Sequence, residues 1–205
     1  PELTRLTTSS EMLDSSIVLV GWDGRIRGAF VLEEELREDA LQAIEACREL
    51  RLDVAVLTGD RRDRMERWQR TLGVPITAEL LPEQKLEQIR QAHARLRSVA
   101  MVGDGLNDAP SLAAADVGVA MGCGADVSRD SADVCLLPNR LSLVPWSVRH
   151  AQKTVHVIRQ NLGWSFGYNG VGVVVAMCGW LHPALAAVLM VVSSLFVLGN
   201  SLRLQ

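Results

Sequence analysis

Through residues 16–137, short apolar runs alternate with segments whose apolar residues recur at helical spacing. Residues 16–21 and 25–32 are β-prone runs flanking Asp23-Gly24, a dipeptide that accepts the positive φ of a tight turn, so a hairpin is expected. Within residues 37–50, Leu41, Ile44, Ala43 or Cys47, and Leu50 share one face of a predicted helix, and residues 54–57 form an apolar strand after it. Met65, Trp68 and Leu72 mark another helix, which Gly73 can end with a left-handed cap and Pro75 cannot continue. Pro82 opens the next, with Leu86, Ile89 and Leu96 on its inner face. Residues 98–102 read as a strand broken at Gly103-Asp104-Gly105, residues 107–115 as a helix, and residues 117–120 and 134–137 as two more strands. Strands alternating with helices predict an α/β domain with a mostly parallel sheet covered on both faces.

The pattern then changes. Residues 161–202 contain no Asp, Glu, Lys or Arg. Residues 162–181 and 183–202 each supply about twenty uncharged positions, the length a helix needs to cross roughly 30 Å of hydrocarbon. Pro183 disfavours helix at His182, so two spans joined by a tight turn are expected. Arg149, Lys153 and Arg159 precede the first span and Arg203 follows the second, which places both ends of the hairpin on the cytoplasmic side. The alternative is a buried hairpin in a soluble core. Trp146, Trp164 and Trp180 suit membrane boundaries.

Composition refines this picture only slightly. The 205 residues suffice for one ordinary domain and a small appendage, and a formal charge of -3 provides no general basic field for nucleic acid. Cys47, Cys123, Cys135 and Cys178 lie far apart without a C-x-x-C pair, so neither a disulfide framework nor a zinc ribbon is expected.

Candidate chemistry lies at two strand ends. Open α/β sheets bind ligands beyond the carboxyl ends of their strands, and the polar turns Thr58-Gly59-Asp60 and Gly103-Asp104-Gly105-Leu106-Asn107-Asp108 both fall there. Glycine lets backbone N–H groups approach an anion, a threonine hydroxyl can donate to a phosphoryl oxygen, and paired carboxylates offer hard oxygens to Mg²⁺. T-G-D alone is equally a common capped turn, and the second motif alone could be a glycine-rich turn ending in a helix cap. Lys85 stands in the first turn of the Pro82 helix, where the macrodipole favours an acid. A specific anionic partner would hold it there, and the alternative is a solvated surface lysine.

In the order T-G-D, P-E-Q-K, G-D-G-L-N-D-A-P, these residues resemble the phosphorylation domain of P-type ATPases, within the haloacid dehalogenase superfamily. The resemblance continues through A-D-V-G-V-A-M-G at residues 115–122 and I-R-Q-N-L at residues 158–162, and fits the heavy-metal subclass best. It implies a Rossmann-like haloacid dehalogenase-type sheet followed by a two-helix transmembrane hairpin. It implies that Thr58 and Lys85 contact an aspartyl phosphate, that Asp104 binds Mg²⁺, and that Asn107 and Asp108 order the site. Gly59, Gly103 and Gly105 would line the phosphate turns, and Asp60 would help position ATP or the dephosphorylating domain. The family's nucleophile belongs to a D-K-T-G-T motif that these residues lack, as they lack the actuator T-G-E loop, and the chain begins at Pro1 without an initiator Met. A carboxy-terminal portion of a pump, inactive alone, is therefore expected. Arg61, Glu34 and Cys123 depart from the family pattern.

Polar groups inside a span are functional candidates, here Tyr168, Asn169, Ser193 and Ser194. Met190 and Ser194 stand four apart on one helical face, and soft sulfur without carboxylates favours Cu(I) over zinc. Tyr168-Asn169 and M-x-x-S-S resemble the last two membrane helices of copper-exporting P-type ATPases, which implies Cu(I), with Ag(I) as a second cargo, held by Tyr168, Asn169, Met190 and Ser194. The competing reading of Met190 and the serines is close helix packing.

The expected organisation is the end of a nucleotide-binding region with a connecting hairpin in 1–32, phosphorylation domain in 33–145, and membrane approach helix plus two spans in 146–205. The expected partners are the pump's actuator and nucleotide domains, its other membrane helices, the lipid bilayer and a copper chaperone, with no nucleic acid. A catalytically silent, membrane-anchored regulatory module is the competing function.

Overall fold

The computed structural model describes residues 16–32, 35–95, 98–104, 108–122 and 132–204. The chain divides into two compact units, Pro1–Leu143 and Val144–Gln205.

In the first unit, β1 (Ser16–Trp22) and β2 (Arg25–Leu32) form the expected antiparallel hairpin, with Trp22 opposite Arg25. Asp23 and Gly24 take φ of 53° and 72°, the pair of positive values that matches the right-handed twist of the flanking strands. The remaining strands pair in parallel. β3 (Val56–Leu57) pairs with β4 (Ile76–Thr77), and β5 (Ala100–Gly103), β6 (Val117–Met121) and β7 (Val134–Leu136) form a second ladder in that order. The expected parallel α/β architecture is present, as two hydrogen-bonded ladders among the described residues.

Each ladder has its own core. Beside β3 and β4, α1 (Ala40–Glu49) and α2 (Arg62–Leu72) contribute Ala40 and Leu72 to a cluster with Val74, flanked by Ile44, Val56 and Ile76. The buried face of α1 is Ala40, Ala43 and Cys47, whereas Leu41, expected inward, is exposed. Small side chains on this face permit close packing, and the Arg48 guanidinium reaches the carbonyls of Leu72 and Gly73 beyond the end of α2. Gly73 stops α2 at a left-handed φ of 62°. Beside β5 and β6, α3 (Pro82–Arg95) and α4 (Ala109–Ala114) bury Ile89 and Leu112 against Met101 and Ala120, with Leu57 of β3 packed on the same cluster.

Polar ties hold the connections. Asp116 Oδ2 accepts from the Val99 N–H at 2.7 Å and lies 3.0 Å from His93 Nδ1, joining the end of α3 to the start of β5 and β6. Arg37 Nη1 donates to Asn139 Oδ1 at 2.7 Å and to its carbonyl at 3.0 Å, while the Ser142 N–H donates to Asp39 Oδ2 at 2.9 Å. These bonds clasp the segment entering α1 to the segment leaving β7. Cysteine spacing suggested no disulfide framework; Cys135 on β7 is disulfide-bonded, whereas Cys47 and Cys178 form no disulfide.

The second unit is a helical hairpin. α5 (Leu143–Met177) ends four residues before the boundary expected at 181, and Gly179 turns the chain at a φ of 74°. α6 (Pro183–Ser201) starts with proline at its first position, capped by His182 Nδ1, which accepts from the Ala184 N–H, and continues into a 3₁₀ turn at Leu202–Leu204. Antiparallel packing is fixed by the Asn161 Nδ2 bond to Ser201 Oγ, the Trp164 Nε1 bond to Ser193 Oγ, and the Trp164 and Phe196 rings at 4.4 Å. Among the described residues, only Pro183–Leu204 is long and apolar enough to cross a membrane. Of the two expected spans, α6 meets that criterion of length and composition, whereas α5 carries Tyr168, Asn169 and several glycines midway along the other expected span and falls short of it.

Hydrogen bonding fixes the acid behaviour of the first unit. The Ser142 N–H holds Asp39 below the usual carboxylate range, and the Val99 N–H, aided by His93, does the same for Asp116. A folded-state value below the unfolded one contributes stability that is complete above about pH 4 and lost as pH falls through the folded value. Thermal unfolding of the first unit should therefore show an acid limb beginning below about pH 4. Asp39→Asn, which keeps an acceptor for Ser142 but cannot titrate, should make that limb shallower; an unchanged limb would show that the Asp39 bond does not contribute.

Candidate functional site

The second core places the candidate residues. Leu57 immediately precedes Thr58, Ile89 lies one helical turn after Lys85, Met101 is two strand positions before Gly103, and Leu112 lies one turn after Asp108. Burying these four apolar residues together brings the polar turns at their ends toward one region. Leu112 is 1 % exposed, so this anchor is nearly complete.

α3 begins with Pro82 at its first helical position, and the Leu81 N–H donates to Gln84 Oε1 at 2.8 Å, a side-chain cap that fixes the first turn. Lys85 follows directly. Its Nζ lies 2.9 Å from Asp108 Oδ1, and both side chains are more than four-fifths buried, at 18 % and 16 % exposure. The partner that outweighs the unfavourable helix dipole is therefore Asp108. Asp108 occupies the N-cap position of α4, but its carboxylate makes no cap bond. The simple reading of this motif as a helix cap is thereby replaced by an ion pair between α3 and the turn after β5.

Gly103 has a steric reason to be glycine. A Cβ there would lie 2.9 Å from Asp108 Oδ2 and 3.0 Å from its Cβ, so any side chain would push the carboxylate away. Asp104, next along the turn, is exposed. Gly105 and Asn107 lie outside the described residues, as do Glu34 and Cys123.

At the other strand end, Thr58 Oγ1 donates to Asp60 Oδ2 at 2.6 Å and accepts from the Asp60 N–H at 3.1 Å. The turn is held further by the Leu80 N–H on the Thr58 carbonyl and the Glu79 N–H on the Asp60 carbonyl. Gly59 packs under the Leu80 carbonyl, 3.2 Å from where a Cβ would stand. The structure thus joins Thr58 to Asp60, and Lys85 to Asp108, as two separate hydrogen-bonded pairs.

Hard carboxylate oxygen at an exposed Asp104, beside a turn shaped around the Asp108 carboxylate, suits Mg²⁺, which typically takes one or two protein carboxylates and completes its shell with water and phosphate. The residues present fit that ion. No cluster of three or more His, Cys, Asp or Glu able to hold a metal occurs among the described residues.

The membrane candidates are distributed differently. Ser193 faces α5 and accepts from Trp164, whereas Ser194 donates to the Met190 carbonyl and is exposed, with Met190 itself 60 % exposed. Tyr168 is half-buried and Asn169 exposed on α5. Among the described residues no hydrogen bond joins Tyr168 or Asn169 to Met190 or Ser194. The clasp of Arg37 and Asp39 with Asn139 and Ser142 was not legible beforehand, because about a hundred residues separate its halves.

Residues 5–116 match a family model described as a haloacid dehalogenase-like hydrolase. A copper-exporting P-type ATPase of Staphylococcus epidermidis is 40 % identical over 196 residues, which cover 95 % of this chain and 25 % of that protein. One of Bacillus subtilis is 39 % identical over 191 residues, covering 93 % and 24 %. The chain thus spans about a quarter of the length of these curated relatives. Among solved structures, a zinc-transporting PIB-type ATPase in the E2.Pi state aligns with a TM-score of 0.80 at 33 % identity, covering 98 % of this chain and 33 % of that one.

The Lys85–Asp108 contact makes an energetic prediction. Lys85→Met and Asp108→Asn should each destabilise the first unit, and the double variant should lose less than the sum, with a coupling of about 1–3 kcal/mol in chemical denaturation. Additive losses would show that the pair carries no mutual stabilisation.

Proposed function

Because this chain belongs to the haloacid dehalogenase-like hydrolase family, we propose that it is the carboxy-terminal portion of a heavy-metal P-type ATPase that uses ATP and Mg²⁺ to move Cu(I), and also Ag(I), across a membrane. The observation that carries the reading is the mostly buried Lys85–Asp108 pair at the end of β5, within a chain 40 % identical to a copper exporter.

In this reading the nucleophilic aspartate, the nucleotide and actuator domains and the remaining membrane helices belong to the same pump upstream, with a copper chaperone as a further partner. This chain supplies the phosphoryl pole. Lys85, oriented by Asp108, presents an ammonium to charge developing on the phosphoryl oxygens, a contribution that is large when the group is positioned in advance. Thr58 Oγ1–H donates its hydrogen bond to a phosphoryl oxygen in place of Asp60, and the freed Asp60 carboxylate turns toward nucleotide or the dephosphorylating domain. Asp104 would hold Mg²⁺, Asn107 and Asp108 would order the site, and Gly59, Gly103 and Gly105 would line the two phosphate turns. When bound, the ion neutralises phosphate charge.

In the membrane, α6 and the second half of α5 form the hairpin, with both ends and the phosphorylation domain cytoplasmic. Met190 and Ser194, exposed on α6, face the cargo path with Tyr168 and Asn169 of α5, completed by helices from the rest of the pump. A thioether beside neutral oxygens, without a carboxylate, suits soft monovalent copper.

Copper-stimulated ATP hydrolysis by the intact pump separates the two poles. Asp104→Ala should lower turnover at every copper concentration, by about a hundredfold or more. Met190→Ala should instead raise the copper concentration needed for half-maximal stimulation by about tenfold or more. Wild-type behaviour in both variants would refute the assignment.

A further inference from the structure

The second unit has a charge distribution that copper passage does not explain. Beyond Asp133 the chain contains no Asp or Glu, yet Arg149, Lys153, Arg159 and Arg203 all lie in Val144–Gln205. The unit therefore has four permanent cations and no carboxylate of its own. Two of them, Arg159 on α5 and Arg203 in the 3₁₀ turn after α6, line one cavity of about 490 Å³.

That cavity has a polar rim and an aromatic floor. Asn200, 9 % exposed, donates to Asn161 Oδ1 at 2.9 Å and to Gln160 Oε1 at 3.2 Å, which commits its amide hydrogens to the joint between the helices. Its Oδ1 accepts from Arg203 Nη1 at 3.4 Å, steering that guanidinium to the cavity. Trp164 and Phe196, in ring contact yet 42 % and 47 % exposed, form the other wall. Cationic forks at the rim and partly exposed rings one to two turns deeper match a molecule with an anionic head and an apolar body.

We propose that this cavity binds the phosphodiester headgroup of an anionic membrane lipid, such as phosphatidylglycerol, between Arg159 and Arg203, with its glycerol backbone and upper acyl chain against Trp164 and Phe196. Guanidinium groups offer paired N–H donors that match phosphate oxygens, and indole rings favour the depth where headgroup meets hydrocarbon. The charge argument selects an anionic lipid over a zwitterionic one, whose own ammonium would face the guanidinium groups of Arg159 and Arg203. The aromatic floor selects a lipid over free phosphate, which has no apolar part to cover it. The proposal rests on the membrane reading of the hairpin given above.

The test uses the complete pump, delipidated in detergent, with native mass spectrometry counting bound phosphatidylglycerol against phosphatidylcholine. The wild-type pump should retain phosphatidylglycerol preferentially, and Arg159→Gln with Arg203→Gln should weaken that binding by about tenfold. Arg149→Gln, outside the cavity, should not. Trp164→Ala should weaken binding of the lipid, and millimolar inorganic phosphate should fail to displace it. Equal retention of the two lipids by the wild type, or undiminished phosphatidylglycerol binding by the double variant, would overturn the proposal. Displacement by inorganic phosphate would identify a phosphate site and overturn it too. Failure of the membrane reading would be recognised separately, by a pump that stays monodisperse without detergent.

Discussion

The ion pair between Lys85 and Asp108 is the interaction on which the candidate site depends. An ammonium in the first turn of a helix opposes the dipole, and a carboxylate in the turn after β5 has no helix-capping bond, so each group is placed unfavourably without the other. Together, at 2.9 Å and largely out of water, they tie α3 to the turn between β5 and α4. The apolar cluster of Ile89, Met101, Leu112 and Ala120 sets the spacing beneath them. Gly103 completes the constraint by leaving the Asp108 carboxylate the only space it can occupy.

Charge is handled by contrasting means in the two units. In the first, Lys85 is paired with Asp108 and backbone N–H groups hold Asp39 and Asp116 ionised. The second has four basic residues and no acidic one, and amide and hydroxyl groups of Asn161, Asn200 and Ser201 join its helices at one end. Neutral hydrogen bonds can join helices in a low-dielectric setting without stranding a charge there, and the cations are left to meet an anionic surface.

Local signals in the chain carried a great deal. The Asp23-Gly24 turn, the Gly73 stop, the Pro82 start and the break at His182-Pro183 were legible because each depends on a backbone property of one or two residues. The anomaly of Lys85 was also legible, since a cation at a helix start needs a partner, though its identity needed the fold. The face of α1 was misjudged because hydrophobicity singled out Leu41, whereas close packing selected Ala40, Ala43 and Cys47. The strand of residues 54–57 shortened to Val56–Leu57 since ladder length is set by the neighbour, β4. The clasp of Arg37 and Asp39 was invisible, because its halves meet only through tertiary structure. Length and lack of charge suggested two equal spans, but the polar residues of α5 separate it from α6.

In the proposed function, Lys85, held by Asp108, is the cation that meets the phosphoryl group. The most direct measurement of this role is labelling of the complete pump by radioactive inorganic phosphate with magnesium and no nucleotide, which reports phosphoryl capture apart from nucleotide binding and copper passage. Lys85→Met should reduce equilibrium labelling by about a hundredfold relative to the wild type, while Lys85→Arg retains a larger share. Labelling of Lys85→Met at the wild-type level would contradict the account.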